Sequence, residues 1–435
     1  MTPLAVYRGQ VLHFVDDPAV AGERAHAHFE DGALVVRDGC VERAGDWPTI
    51  RATLPEGVTV VDCGGHLITP GFIDTHVHYP QTEMIASYGE QLLEWLERYT
   101  FPTEARFADP VHAREIAGFF ADELLRNGTT TAAVFATVHA GSVDAIFEAA
   151  RERGMCIAAG KTLMDRNCPE FLCDTAESGD ADNRALIARW HGRDRLLYAI
   201  TPRFAVTSTP RQLELAGRLA AEYPDALVQS HVAENLDEVR WVAELYPESR
   251  SYLDVYDRFG LLRRGAVYGH CIHLDAADRR RMADTGAAMS FCATSNLFLG
   301  SGLFDLDAAL AHGVAVGVGT DVGGGTSLSM LRTLSECYKV AQLKRQRLSP
   351  LRAFYLATLG GARAMGIDDR LGNFATGKPA DFVVLDPAAT PLMARRMRRA
   401  EGITETLFAL MMLGDDRAVA ATYVMGERRY ARAAN

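Results

Sequence analysis

Leu67-Ile68-Thr69-Pro70-Gly71-Phe72-Ile73-Asp74-Thr75-His76-Val77-His78 is the stretch from which the rest of the chain can be read. An apolar run rich in β-forming residues ends in two histidines one residue apart, and on a strand the side chains at i and i+2 point the same way. Both imidazoles can therefore reach one point in space. That point suits a metal ion: borderline cations such as zinc accept imidazole nitrogen, and catalytic sites commonly take about three protein ligands beside a water. Further ligands must then come from far along the chain. Spacing alone does not decide the matter, since Ala25-His26-Ala27-His28-Phe29-Glu30 carries the same His-x-His pattern. That second pair sits among polar residues with no apolar run leading into it, and it reads as solvated.

Upstream of the quoted stretch, short β segments at 11–14, 33–36 and 58–61 are separated by Asp31-Gly32 and Asp38-Gly39 turns, which is hairpin chemistry. Strand-like runs return at 380–386 and 421–425. Residues 1–66 and 372–435 are therefore expected to form a small discontinuous β-sandwich domain. Between them, over 67–371, the pattern becomes strand then helix. After the His76 strand come apolar runs at 130–136, 155–159, 196–200, 226–231, 266–270, 287–292 and 314–321, each followed by a helical stretch. Alternation of this kind implies a parallel sheet, and eight such units close into an α/β (β/α)8 TIM barrel.

Barrels of this type place their chemistry at the C-terminal ends of the strands. Here the first strand ends in His76 and His78, the fourth in Arg203 and Phe204, the fifth in His231, the sixth in His270 and the eighth in Asp321. His76, His78 and His231 are the expected nitrogen ligands. Asp321 adds a carboxylate able to touch the metal and to take a proton from a water held there. Glu234, three residues past His231, is placed to give a proton to a substrate and receive it back. His270 is expected to orient the attacking water from further out. Other histidines have ordinary readings: His273 packs or forms a hydrogen bond, His139 and His312 are structural, and His66 lies at the wrong end of the first strand. Lys161 follows the third strand, but a carboxylated lysine bridging two metals belongs at the next strand end, where Arg203 stands. The site is therefore read as mononuclear.

Composition narrows the class of function. At 435 residues and 48% hydrophobic content the chain can bury a large core. A net charge of −11 disfavours nucleic acid as the principal partner. No run is long enough to span a membrane and no basic leader precedes an apolar stretch, so a cytoplasmic protein is expected. The eight cysteines are scattered without a Cys-x-x-Cys pair and read as reduced, mostly buried small hydrophobes.

The combination of residues 70–78, His231-Val232-Ala233-Glu234, His270 and Gly319-Thr320-Asp321 resembles the amidohydrolase superfamily in its mononuclear deaminase branch. Within that branch four further stretches resemble the guanine deaminases: His78-Tyr79-Pro80-Gln81, residues 92–104, Thr201-Pro202-Arg203-Phe204-Ala205 and Thr294-Ser295-Asn296-Leu297. The resemblance runs from about residue 61 to 386 and is faint at 166–182 and after 387. It implies one zinc ion per chain, with iron tolerated by the same donors, a homodimer, and hydrolysis of guanine to xanthine and ammonia within purine catabolism. It also implies that Gln81 and Arg203 bind the purine and that Phe204 lines the pocket; Trp95 is expected to add an aromatic wall, since a planar base rewards stacking. The rival expectations are a deaminase or chlorohydrolase of another amino-heterocycle, such as a pterin, triazine, cytosine or adenosine-type nucleoside, and a non-catalytic scaffold.

Overall fold

The computed structural model describes residues 4–88 and 91–433, so the first three residues of the N-terminal stretch lie outside it. Four strands come first: β1 (Leu4–Phe14), β2 (His26–Arg37), β3 (Cys40–Asp46) and β4 (Thr59–Pro70). Nine follow in the middle of the chain: β5 (Phe72–His78), β6 (Thr129–Phe135), β7 (Cys156–Gly160), the two-residue β8 (Thr162–Leu163), β9 (Leu197–Pro202), β10 (Leu227–Val232), β11 (Ala266–His270), β12 (Ala288–Phe291) and β13 (Val316–Val318). The last three are β14 (Phe382–Leu385), β15 (Val419–Val424) and β16 (Glu427–Ala431).

The terminal segments meet as expected, but in one continuous 7-stranded sheet ordered β16-β15-β14-β4-β1-β2-β3 rather than in two stacked layers. Alternate residues along a strand face opposite sides. Tyr7, Leu34 and Val36 accordingly join one apolar cluster while Val6, Ala33 and Val35 join another, the second closed by Trp47 and Ile50. Gly71 divides the stretch quoted first. Leu67 to Pro70 complete β4 and pair with Leu385 to Phe382 of β14, so the apolar run belongs to the terminal sheet and the barrel begins at Phe72. The His26/His28 pair also departs from expectation. It lies on β2 opposite Phe14 and Leu12 of β1, with both rings half-buried, because β2 extends through the polar stretch.

The barrel has its eight strands in the order β13-β12-β11-β10-β9-β7-β6-β5, with β8 paired to β9 off that path. All eight apolar runs read from the sequence are there. Helices such as Pro110–Arg126, Ala140–Arg153 and Pro210–Glu222 cover the outside. The last shows why they form: Thr209 caps the Gln212 amide, Pro210 occupies the first turn, and Leu213, Ala216, Leu219 and Ala220 make one buried face. The helix Ala176–Trp190 starts where Thr175 and Ser178 form a capping box. Fully buried Lys161 ties the preceding excursion to the barrel through Val138 O and Asp174, a structural role. All eight cysteines are free, and Cys156, Cys271, Cys292 and Cys337 are buried. Among the described residues no helix is long and apolar enough to cross a membrane.

The ring closes where the end of β5 meets the segment after β13. Asp321 N donates to His76 O at 2.9 Å and His78 N to Val322 O at 2.8 Å. Beneath them buried Asp74 accepts from Thr320 N at 3.0 Å, from His76 N at 3.1 Å and from Thr320 Oγ1. Replacing Asp74 by Ala leaves these three buried donors unpartnered, and each such loss costs about 1–3 kcal/mol. Asp74→Ala is therefore expected to lose about 3 kcal/mol or more of folding stability. Denaturant unfolding reads this as a lowered midpoint, and a midpoint equal to wild type would contradict the role given to Asp74.

Candidate active site

The strand ends bring the sequence-selected residues to one place. His76, His231, His270 and Asp321 each offer a ligand atom within 4.8 Å of the others, all buried. His78 joins them, with Nε2 at 3.1 Å from His231 Nε2 and 3.4 Å from Asp321 Oδ1. The two oxygens of Asp321 divide the cluster. Oδ1 faces His76 Nε2 at 3.3 Å as well as His78, whereas Oδ2 faces His270 Nε2 at 3.6 Å. On its other side His270 Nε2 lies 3.2 Å from Glu234 Oε2, so it stands between the two carboxylates.

Local backbone aims these groups. Ala233, His270, Cys271 and Asp321 all have positive φ, at 52°, 68°, 53° and 50°, and each lies at the mouth of a barrel strand. A left-handed residue there turns the chain sharply and redirects the side chain at a cost of order 1–3 kcal/mol. Glycine makes room as well: a Cβ on Gly269 would meet His76 Cε1 at 2.7 Å. The His231 ring is oriented by its Nδ1, which donates to Arg203 O at 2.6 Å, and that of His270 by its Nδ1, which donates to Asn296 Oδ1 at 2.8 Å. Both Nε2 atoms are thereby left with lone pairs facing the cluster.

The donor set fits a cation. Both ring nitrogens of His76, Nδ1 of His78 and Nε2 of His270 are buried without a hydrogen-bond partner. Two imidazole ligands on a four- or five-coordinate ion stand about 3 Å apart, as the Nε2 atoms of His78 and His231 do. Charge agrees with this. Burial pushes the His78 imidazole down to about 4, and burial with the neighbouring imidazoles holds His231 well below its ordinary range, so both are neutral at pH 7. Burial works against ionisation of Asp321, yet His76 and His270 beside it hold its carboxyl well below the usual range. Neutral imidazoles with one carboxylate are the form a divalent cation requires.

Glu234 is the opposite case. Burial, and then the negative charge of Asp321, raise its carboxyl to about 8, with the Ser301 hydroxyl opposing the shift by donating to Oε1 at 2.9 Å. At neutral pH it holds a proton to give. Glu238 lies behind it, raised to about 7 by burial and then by Glu234; its Oε2 accepts from Glu234 N at 3.0 Å and its Oε1 from Tyr252 Oη at 2.7 Å.

The cluster opens into a cleft walled by Gln81, Trp95, Arg203 and Phe204. The sequence-selected side chains line this cavity, except His76, which completes the cluster at its base. Three residues that frame it went without a role in the sequence. Glu104 accepts from Gln81 Nε2 at 3.0 Å and from Arg203 Nη1 at 2.7 Å. It stands inside the 92–104 stretch, as Asn296 does in Thr294-Ser295-Asn296-Leu297, but nothing in the spacing distinguishes either from its neighbours. Ser301 had no signal. The ordinary histidines behave as expected: His273 Nε2 donates to Ser301 O at 3.1 Å, His312 Nδ1 to Ala308 O at 2.8 Å, and His66 lies away from the site, 3.7 Å from Asp386.

Comparison with known proteins agrees with the geometry. The sequence pattern of the amidohydrolase family matches residues 67–429. A guanine deaminase of Escherichia coli (strain K12) is 52% identical over 422 residues, covering 97% of this chain and 96% of that one. The solved structure of E. coli guanine deaminase superposes with a TM-score of 0.96 at 51% identity, covering 99% of this chain and 100% of that one. The guanine deaminase from C. acetobutylicum, solved with guanine bound in its active site, superposes with a TM-score of 0.89 at 29% identity, over 98% of this chain and 100% of that one. With the family pattern spanning most of its length and a guanine deaminase of this similarity spanning nearly all of it, the chain belongs to the amidohydrolase family.

Proposed function

We propose that this chain hydrolyses guanine to xanthine and ammonia, using one zinc ion held by His76, His78, His231 and Asp321. The observation that carries the reading is the placement of Glu234 and Asp321 on either side of His270 Nε2, at the foot of a cleft walled by Gln81 and Arg203. Guanine deaminases that align with nearly the whole chain support it. A homodimer in the cytoplasm serving purine catabolism accompanies this reading on the sequence resemblance.

A divalent cation, when bound by these donors, would supply the Lewis acidity that lowers the pKa of a nearby water toward neutrality. Asp321 would accept one proton of the attacking water through the oxygen facing His270, and His270 would hold the resulting hydroxide in line. The hydroxide oxygen bonds to C2 of guanine while Glu234 gives its proton to ring N3, so no negative charge accumulates on the ring. Asp321 then returns its proton to the amine, the C2–N bond breaks and ammonia leaves. The new hydroxyl gives its proton to Glu234, leaving the carbonyl of xanthine and restoring the starting state. Gln81 and Arg203 hold the base, the guanidinium donating to its carbonyl oxygen.

The direct test is ammonia release from guanine, 8-oxoguanine, cytosine, adenine, a pterin and a triazine, with metal content measured on the same sample. Guanine is expected to dominate, and a fully metallated sample inert toward guanine would overturn the reading. Glu234→Gln is expected to lower kcat by about 10²–10⁴-fold at unchanged metal content, because this carboxylate moves protons and holds no metal. In wild type, kcat is expected to fall as pH rises through about 8, where the raised Glu234 carboxyl loses the proton it must donate. Ser301→Ala removes a hydroxyl that favours the ionised form, so the alkaline fall should move to higher pH. A fall that stays in place in this variant would detach the pH dependence from Glu234.

A further inference from the structure

Glu104 lies outside the reacting cluster, on the helix Phe101–Ala105, and is only 1% exposed. One of its oxygens accepts from Gln81 and the other from Arg203, so a single buried carboxylate grips both polar walls of the cleft. The Gln81 amide is held at its other end too, because Gly323 N donates to Gln81 Oε1 at 3.0 Å. Flipping that amide would set its oxygen against the Glu104 carboxylate and its NH2 against the Gly323 N–H. Gln81 therefore offers the cleft one remaining N–H and one lone pair in fixed directions.

Arg203 is fixed in the same way. Its Nη1 is committed to Glu104, and its guanidinium lies 5.7 Å from the ring centroid of Phe101, one turn earlier on the same helix. With 3% exposure, a guanidinium beside a dication site would be strongly disfavoured without a counter-charge. Glu104 neutralises it and leaves the other N–H groups free. The result is a rigid, overall neutral donor array, which suits an uncharged base carrying a carbonyl oxygen.

We propose that Glu104 is a positioning residue that sets the specificity of the cleft for a 6-oxopurine, by fixing the orientation of the Gln81 amide and the Arg203 guanidinium against the carbonyl side of the base. This inference rests on the guanine reading above. It deepens that reading by assigning recognition of the oxygen to a three-residue unit and the orientation of that unit to one carboxylate.

The test is steady-state kinetics of wild type, Glu104→Gln, Glu104→Asp, Arg203→Met and the Glu104→Gln/Arg203→Met double variant. Metal content and thermal midpoint are recorded for each. 2-Aminopurine, which keeps the amine and lacks the carbonyl oxygen, serves as a competing probe. For Glu104→Gln, KM for guanine is expected to rise about 10–100-fold, the effect of losing charge-assisted hydrogen bonds, while kcat changes far less. The inhibition constant of 2-aminopurine should stay near that of wild type. Glu104→Asp, which keeps the charge but cannot span both partners, should fall between. The double variant should be weaker toward guanine than Arg203→Met alone by clearly less than the full Glu104→Gln effect, the part that remains acting through Gln81.

The inference is overturned if Glu104→Gln keeps the wild-type KM, if guanine and 2-aminopurine weaken in parallel, or if the effects of the two substitutions add. It is also overturned if both Glu104 variants lose metal and thermal stability along with kcat, which marks a role in folding. A wild-type protein that releases no ammonia from guanine overturns the functional reading first. An active wild type with an unaffected Glu104→Gln overturns this inference alone.

Discussion

The backbone seam between the end of β5 and the segment after β13 is the constraint on which the site depends. Asp74 and Thr320 lie 246 residues apart in the chain, yet their hydrogen bonds fix which residue of the first strand faces which residue after the last. Side chains alternate along a strand, so a slip of one residue at this seam would turn His76 and His78 away from the barrel mouth and bring Thr75 and Val77 to it. Asp321 would lose both imidazoles together. The histidine–aspartate cluster is thus a by-product of register, and the paired hydrogen bonds of His76 O and His78 N hold that register where the ring closes.

Positioning of this kind carries a conformational cost. Four residues at the strand mouths take left-handed backbone, and several imidazole nitrogens are buried without partners. Each feature alone is unfavourable by a kcal/mol or more. They persist because the strands beneath are covered by a continuous apolar core that over-determines the backbone around them. The same burial performs the chemistry. It keeps the imidazoles of His78 and His231 neutral and Glu234 protonated, while His76 and His270 beside Asp321 hold its carboxyl well below the usual range. Two carboxylates on either side of one imidazole are thereby driven toward opposite protonation states, one able to accept a proton and one able to give it.

The barrel was legible because parallel strands are covered on both sides and read as unbroken apolar runs between helices, which places their C-terminal ends to within a residue or two. Reading those ends selected His76, His78, His231, His270 and Asp321 without further information. Less local features escaped. Nothing in residues 67–78 reveals that the chain leaves one sheet and enters another at Gly71, because an apolar β run reads alike in either. The polar look of residues 25–30 concealed that β2 carries His26 and His28 into a ladder with β1, where pairing rather than hydrophobicity makes the strand. Glu104 and Ser301 act through contacts with residues distant in the chain, and periodicity holds no trace of such contacts.

Arg203 shows how closely recognition and catalysis are joined. Its carbonyl oxygen accepts from His231 Nδ1 and so orients a ring of the histidine–aspartate cluster, while its guanidinium is held by Glu104 on the far wall of the cleft. Strand β9 ends just before it, so one backbone position joins a wall of the cleft to the orientation of the His231 ring. A shift of the Arg203 backbone that widened the cleft for a different heterocycle would also rotate His231. A new specificity would then be reached more readily by changing side chains at Gln81, Glu104 or Phe204, which touch no ligand, than by remodelling the β9 end. The strand end that makes the site stable also makes its ligand geometry resistant to drift, and leaves the outer wall as the part free to vary.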